Sequence, residues 1–283
     1  MNIALIVNFN KPCSAATTEE IVDILCSGDM DVYMLKEAED KFSLSGVTYI
    51  ETYEELFSLS DIAVTVGGDG TIIHSARYAA KMSKPILGVN MGRIGFVAEL
   101  EPSEISMLKE LPGGNFSVMN RMLLGVEVGH SDGTKENYIA INDAVISRGA
   151  LSRMTELEVS VGNEQILCYR ADGLLFSTPT GSTAYALSAG GPVIDPALSL
   201  IELTPVCPHS LTARTVLFTD DTVLEVKSKN RDTAYLTVDG QISVPLDPTD
   251  KVKIYRSEYT LSMITMKEKN FYKLAGEKLK EGN

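Results

Sequence analysis

"VTVGGDGTII", residues 64–73, begins as an apolar, β-branched run, ends in Gly67 and Gly68, turns through Asp69 and Gly70, and enters a helical pattern at Thr71. An apolar run without polar alternation is what a strand covered on both faces needs, so the stretch predicts a buried strand, a tight turn and the helix "TIIHSARYAAKM" (71–82). The surrounding sequence repeats this pattern. Ile3 to Val7 is a second apolar run, Thr18 to Cys26 carries Ile21, Val22, Ile24 and Leu25 at helical spacing, and "DVYML" (31–35) and "PILGVN" (85–90) supply further strands. Alternation of strand and helix implies a parallel sheet wrapped by helices.

From Met122 onward the pattern changes. "MLLGVEVGH", "NYIAINDAVISR", "TELEVSVGN", "GLLFSTP", "TVLEVKS", "TAYLTVDGQ" and "KVKIYRS" are β-rich runs separated by turn residues. The expected organisation is therefore an α/β N-terminal domain with a parallel sheet, residues 1–121, and a mostly-β, sandwich-like domain, residues 122–256. The break falls in the stretch from Glu101 to Met122, where "ELPGGNF" interrupts the pattern. The C-terminal segment 257–283, with the helical "NFYKLAGEKLKEG", is expected to pack back on the first domain.

Composition narrows the classes of partner. The 283 residues are 44% hydrophobic and 22% charged, as in an ordinary globular protein. Twenty-five basic against 38 acidic residues leave a formal charge of −13, which repels nucleic-acid phosphates and anionic membrane surfaces, so neither is an expected partner. An anionic ligand would need backbone N–H groups, a few placed cations or a metal ion to overcome that field locally. Cys13, Cys26, Cys168 and Cys207 form no CxxC pair and have no His at ligand spacing, so no metal ligand set among the side chains is assigned. The apolar run at the N-terminus is too short for a signal or membrane segment, and the expected location is the cytoplasm.

Four segments carry chemistry. In the first, Gly67, Gly68 and Gly70 let backbone amides approach a phosphate, and the helix start favours an anion. Asp69 then lies at the carboxyl end of a strand, where open α/β sheets bind ligands. A carboxylate among phosphates must hold a divalent cation or take a proton, unless it merely caps the helix. No GxxxxGK[ST] loop is present, and "GVNMGRIGF" (88–96) does not fit GxGxxG. That second Gly-rich loop would face the first across a cleft, with Arg93 as a phosphate-facing cation or simply as a solvated side chain. The third segment, "STPTGSTAY" (177–185), concentrates the hydroxyls of Ser177, Thr178, Thr180, Ser182 and Thr183 beside Tyr185. These groups suit a ribose, a pyrophosphate and a flat ring, or else an ordinary hydroxyl-rich loop. The fourth, "AINDAVIS" (140–147), sets Asn142 and Asp143 inside an apolar strand-like run, where they need a ligand amide or diol, or internal backbone partners.

Taken together these segments resemble the NAD kinase family, whose members combine a "GGDGT" loop, an "NxGxxGF" loop, an Asn-Asp/Glu pair, "TPTGSTAYxxSAGGP" and a later "TPxxPHSLxxR", here "LTPVCPHSLTAR" (203–214). All occur in family order over almost the whole chain. "GGDGT" alone is shared with lipid kinases, whereas "TPTGSTAYALSAGGP" is specific. The resemblance implies an NAD kinase-like fold and phosphorylation of the adenosine ribose 2′-hydroxyl of NAD by ATP, with Asp69 as general base and Mg²⁺ accompanying ATP. It assigns phosphates to Gly67, Gly68, Gly70 and Thr71, nucleotide contacts to Asn90, Gly92, Arg93 and Phe96, and the NAD-binding pair to Asn142 and Asp143. Asp172, Thr180, Thr183, Ala184, Tyr185 and Ser188 match nicotinamide-side and ribose contacts, Gln241 lies in the "DGQ" turn, and His74, Arg153 and Arg170 align with further ligand positions. Ile94 and Thr215 depart from the usual Leu and Pro. Family members are homodimers or homotetramers whose sites draw on neighbouring subunits.

Two other readings compete. A lipid kinase would share "GGDGT" but need an apolar acceptor surface in place of "TPTGSTAY". A non-catalytic NAD(H) sensor is disfavoured by the intact Asp69. Whether polyphosphate replaces ATP, and whether NADH is accepted, is left open by the motifs.

Overall fold

The computed structural model describes residues 1–11, 13–39, 41, 44–92, 95–149, 154–229, 232–268 and 270–281. The chain divides into two compact units, Met1–Arg121 with Tyr259–Asn283, and Met122–Glu258.

In the first unit, strands β1 (Asn2–Val7), β2 (Asp31–Leu35), β3 (Val47–Ile50), β4 (Ile62–Gly67) and β5 (Ile86–Asn90) form a parallel sheet in the order β3-β2-β1-β4-β5. Every residue of β4 and β5 is buried, which explains why all but Thr65 and the terminal Asn90 are apolar or glycine. Helices α1 (Ser14–Ser27), α2 (Tyr53–Leu59) and α3 (Asp69–Lys81) connect the strands. The short α2 lacks a long apolar periodicity. Its start is fixed locally, by Thr52 Oγ1 accepting the Glu55 N–H at 3.2 Å. The stretch from Glu101 to Met122, where the domain boundary is expected, contains a 3₁₀ helix, Pro102–Gly113, opened by a reciprocal Glu101/Glu104 capping box. Its Ile105 and Leu108 enter the core with Ile3, Leu5, Val64 and Ile21. The returning segment adds Ile264 to this core and pairs Met263 with Ile86 of β5.

The second unit is antiparallel. Strands β6 (Ser117–Gly129) and β7 (Lys135–Ala140) form a hairpin, followed by β8 (Asp143–Arg148), β9 (Thr155–Val161), β10 (Glu164–Ala171) and β11 (Gly173–Ser177). The one-turn helix α4 (Tyr185–Ser188) precedes β12 (Leu200–Val206), β13 (Val216–Thr219), β14 (Leu224–Ser228), β15 (Ala234–Val238), β16 (Ile242–Leu246) and β17 (Lys251–Thr265). One sheet runs β13-β12-β11-β8-β15-β16, and in the other β10 pairs β9, β9 pairs β14, and β14 pairs β17. Leu157, Val159 and Val226 of the second sheet share a core with Leu174, Phe176 and Leu236 of the first, the packing of a sandwich. The chain ends in α5 (Phe271–Glu281). No helix among the described residues is long and apolar enough to cross a membrane.

The sequence places Asn142 and Asp143 within one continuous strand; the chain instead leaves β7 of one sheet at Ala140 and enters the other sheet as β8 at Asp143. The cause is local capture of three backbone N–H groups, described below.

Glu202 on β12 is fully buried, and its Oε1 accepts from the Thr204 hydroxyl at 2.8 Å while Oε2 has no hydrogen-bond partner among the described residues. Burial pushes its pKa up to about 7. Because the folded value lies above the unfolded one, the stability linked to this group is full below pH ~4.5 and is lost as pH rises through about 7. Glu202→Gln is therefore expected to stabilise the protein by on the order of 2 kcal/mol at pH 8.5 and to change little at pH 5. Thermal unfolding at both values checks this, and an equal shift at the two would contradict it.

Candidate active site

The first unit contributes the turn between β4 and α3. Gly67 is dictated by space: a Cβ there would lie 2.4 Å from Thr71 Oγ1, which accepts from Asn8 Nδ2 at 3.2 Å. Helix α3 starts at Asp69, two residues before the start that the sequence predicts, and Gly68 is its N-cap in extended conformation. Asp69 therefore does not cap the helix. Its Oδ2 accepts the backbone N–H of Phe96 at 3.0 Å, while Oδ1 is buried with no hydrogen-bond partner among the described residues. A Cβ on Gly95 would lie 2.0 Å from that Oδ1, so the carboxylate rests directly on the Gly95 backbone. The two Gly-rich loops thus meet through Asp69.

Asn90, 4% exposed, donates from Nδ2 to the Gly92 carbonyl at 3.1 Å, and its Oδ1 is buried without a partner among the described residues. Arg93 and Ile94 lie outside the described residues. His74 is exposed on α3, with its ring edge-on to Tyr53 at 5.5 Å. A cleft of about 330 Å³ is lined by Asn8, Phe9, Tyr53, Gly70, Thr71 and His74; Asp69 does not line it.

The second unit builds its own cavity. Asp143 is 5% exposed, and its carboxyl is pushed up to about 7, first by burial and then by the charge of Asp239. Asn142 Oδ1 is buried with no hydrogen-bond partner among the described residues. A space of about 380 Å³ is lined by Asn142, Asp143, Ala184, Tyr185, Thr237 and Asp239. A neighbouring space of about 370 Å³ is lined by Ser147, Arg148, Asp172, Tyr185, Val206 and Cys207. Tyr185, 46% exposed, borders both and so offers one aromatic ring to either space. Arg148 Nε donates to Asp172 Oδ1 at 2.7 Å, fixing that carboxylate in the second space.

The hydroxyl-rich loop differs from its sequence reading. The buried side chains of Ser177, Thr178 and Ser182 are used internally, Ser177 Oγ on Asn142 O at 3.1 Å, Thr178 Oγ1 on Ile141 O at 2.7 Å and Ser182 Oγ on Pro179 O at 2.8 Å. Ser177 and Thr178 tie this loop to the Ile141–Asn142 turn and Ser182 closes the loop on itself, because buried hydroxyls must find acceptors. Thr183 Oγ1 bonds the Thr180 carbonyl at 3.3 Å.

The structure therefore gathers Asn142, Asp143, Ala184 and Tyr185 around one space and Asp172 and Tyr185 around the next. Thr180, Thr183, Arg170, Ser188 and Gln241 line neither, and Arg153 lies outside the described residues. Sequence reasoning missed Asn8, Gly95, Arg148 and Asp239. "DGQ" held the signal for the last of these, but an Asp-Gly pair between strands is explained equally well by a hairpin turn. Among the described residues no three His, Cys, Asp or Glu side chains are grouped to hold a metal ion.

Comparison with known proteins agrees in both units. The ATP-NAD kinase N-terminal domain model matches residues 3–111 and the ATP-NAD kinase C-terminal domain model matches residues 141–266. The NAD kinase of Natranaerobius thermophilus is 35% identical over 99% of this chain and 98% of its own. That of Thermoanaerobacter sp. is 37% identical over 99% of both. A yeast NADH kinase crystallised with NADH has the same fold, with a TM-score of 0.88 and 24% identity over 96% of this chain and 85% of that one. An NAD kinase from Archaeoglobus fulgidus in complex with ATP gives a TM-score of 0.75 and 26% identity over 98% of each chain. With both domain models matched in order and relatives aligned from end to end, this chain belongs to the ATP-NAD kinase family.

Proposed function

We propose that the protein transfers the γ-phosphoryl group of ATP to the 2′-hydroxyl of the adenosine ribose of NAD, giving NADP and ADP, with Asp69 as the general base. The observation that carries the base assignment is the division of labour within one carboxylate. Oδ2 is held by the Phe96 N–H, and Oδ1, buried and without a hydrogen-bond partner among the described residues, keeps its lone pairs for a proton. The start of α3 at Asp69 favours an anion through the helix dipole, and a Cβ at Gly68 or Gly70 is absent from its approach. In the second unit the Asn142 amide and the Asp143 carboxyl suit the hydroxyls and amide of a dinucleotide, and Tyr185 suits a flat ring. On this reading residues 1–121, with 257–283, handle phosphates and the proton, and 122–256 recognise NAD.

Phosphoryl transfer of this kind rests on positioning and charge stabilisation more than on covalent chemistry. A divalent cation, Mg²⁺, is proposed to arrive with ATP and neutralise the triphosphate, whose own oxygens supply most of its ligands. The resemblance carries the remainder of the reading, a homodimer or homotetramer at work in the cytoplasm.

The test is direct. Purified protein is incubated with NAD or NADH, ATP or polyphosphate, and Mg²⁺, and a coupled dehydrogenase detects NADP(H). NADP is expected from NAD, ATP and Mg²⁺, and none in excess EDTA. Absence of NADP under all combinations would refute the assignment.

A further inference from the structure

We propose that Asp239 is the positioning residue of the NAD-recognition turn: its carboxylate gathers the backbone N–H groups of Ile141, Asn142 and Asp143 and so sets where the Asn142 and Asp143 side chains stand in their cavity. The inference rests on the assignment of that cavity to NAD. Asp239 Oδ1 accepts from Asn142 N at 2.7 Å, Ile141 N at 3.1 Å and Asp143 N at 3.2 Å, and Oδ2 accepts from Ile141 N at 3.1 Å. The contact is returned, since Asp239 N donates to Asp143 O at 2.9 Å.

Three successive N–H groups turned toward one point form a nest of the sort that binds anions. Here the protein fills it with its own carboxylate. The result is the break between β7 and β8: groups that would otherwise join the strand ladder point at Asp239, and Asn142 is freed from the strand alternation that would fix its direction. Asp239 reaches this position because it opens the three-residue connection between β15 and β16, with φ of 51° at Asp239 and 65° at Gly240 and the turn closed by Gln241 N donating to Val238 O at 3.0 Å. Asp239 borders the same space as Asn142 and Asp143, and its charge, after burial, is the second cause of the raised Asp143 pKa.

The test is Asp239→Asn, which keeps the size of the side chain but turns one acceptor into a donor facing N–H groups. If Asp239 positions the turn, the KM for NAD rises roughly 10- to 100-fold, as small misplacements of binding groups do, while the KM for ATP stays within twofold. Calorimetric NAD affinity falls in parallel. A residue that merely supported the fold would lower the melting temperature and the active fraction but leave the NAD KM of the folded molecules unchanged, and that result overturns the proposal. If the variant does not fold, amide exchange in the wild-type protein decides. Exchange of the Asn142 N–H at least 10²-fold slower than in an unstructured chain, without NAD, supports the proposal, and free exchange overturns it. A wild-type protein that forms no NADP would instead refute the NAD kinase reading itself, so the two failures are distinct.

Discussion

Asp69→Asn is expected to lower kcat by roughly 10²- to 10⁴-fold, the usual worth of a general base, while NAD binds within a few-fold of its wild-type affinity. The geometry says why an isosteric change is so costly. Phe96 N–H requires an acceptor, so the Asn carbonyl oxygen will take the place of Oδ2, 3.0 Å from that N–H. The amide nitrogen then occupies the place of Oδ1, the buried oxygen that has no hydrogen-bond partner among the described residues. A neutral amide there cannot accept a proton from a ribose hydroxyl. The alternative reading of Asp69, a helix cap, predicts a nearly active variant because Asn caps as well as Asp. That alternative has little room, since Gly68 is the N-cap and the Asp69 carboxylate bonds Phe96 of the other loop. Steady-state kinetics with calorimetric NAD binding decide between them. A variant that keeps more than about a tenth of wild-type kcat would sink the base assignment.

The residues of this site were legible in sequence to very different degrees, for physical reasons. The parallel sheet was plain because β4 and β5 are covered on both faces and so are almost wholly apolar. Short elements such as α2 and β3 escaped, since seven and four residues hold too few apolar positions to display a period. Asp69, Asn142, Asp143 and Tyr185 stood out through motif composition, but what each side chain touches did not. The hydroxyls of "STPTGSTAY" look like ligand groups in sequence, and Ser177, Thr178 and Ser182 prove to be internal fasteners. Nothing in a linear pattern distinguishes an oxygen that faces a ligand from one that faces a carbonyl 35 residues away, as Ser177 faces Asn142. Asp239 was hidden for the same reason, since its partners lie 96 to 98 residues distant. Gly95 was hidden behind its neighbours in a Gly-rich loop, where its requirement comes from the Asp69 carboxylate and not from the loop.

Gly181→Ala is expected to destabilise the protein by roughly 2–3 kcal/mol and to cut kcat/KM for NAD by about 10²-fold. The effect is one of space alone. Gly181 has no left-handed φ, so an alanine meets no conformational penalty of its own. Its Cβ, however, would lie 2.1 Å from Asn142 O, 2.5 Å from Asn142 C and 2.6 Å from Asn142 Cα. These are backbone atoms, and no rotamer change relieves the overlap. Either the loop or the Ile141–Asp143 turn must move, and both are held from other sides: the loop by Thr178 Oγ1, which accepts the Gly181 N–H at 3.0 Å and donates to Ile141 O at 2.7 Å, and the turn by Asp239. The displacement therefore falls on Asn142 and on the helix start at Tyr185, the groups proposed to recognise NAD. Gly162→Ala is the matching control. Gly162 sits at φ +60° with nothing within 4 Å of the added Cβ, so alanine there costs roughly 1 kcal/mol of backbone strain and leaves NAD kinetics intact. Chemical denaturation and initial rates on the two variants separate the effects. A Gly181→Ala protein with wild-type NAD kinetics would mean that the Asn142 turn can give way without disturbing substrate, and that the cavity beside it is not where NAD is read.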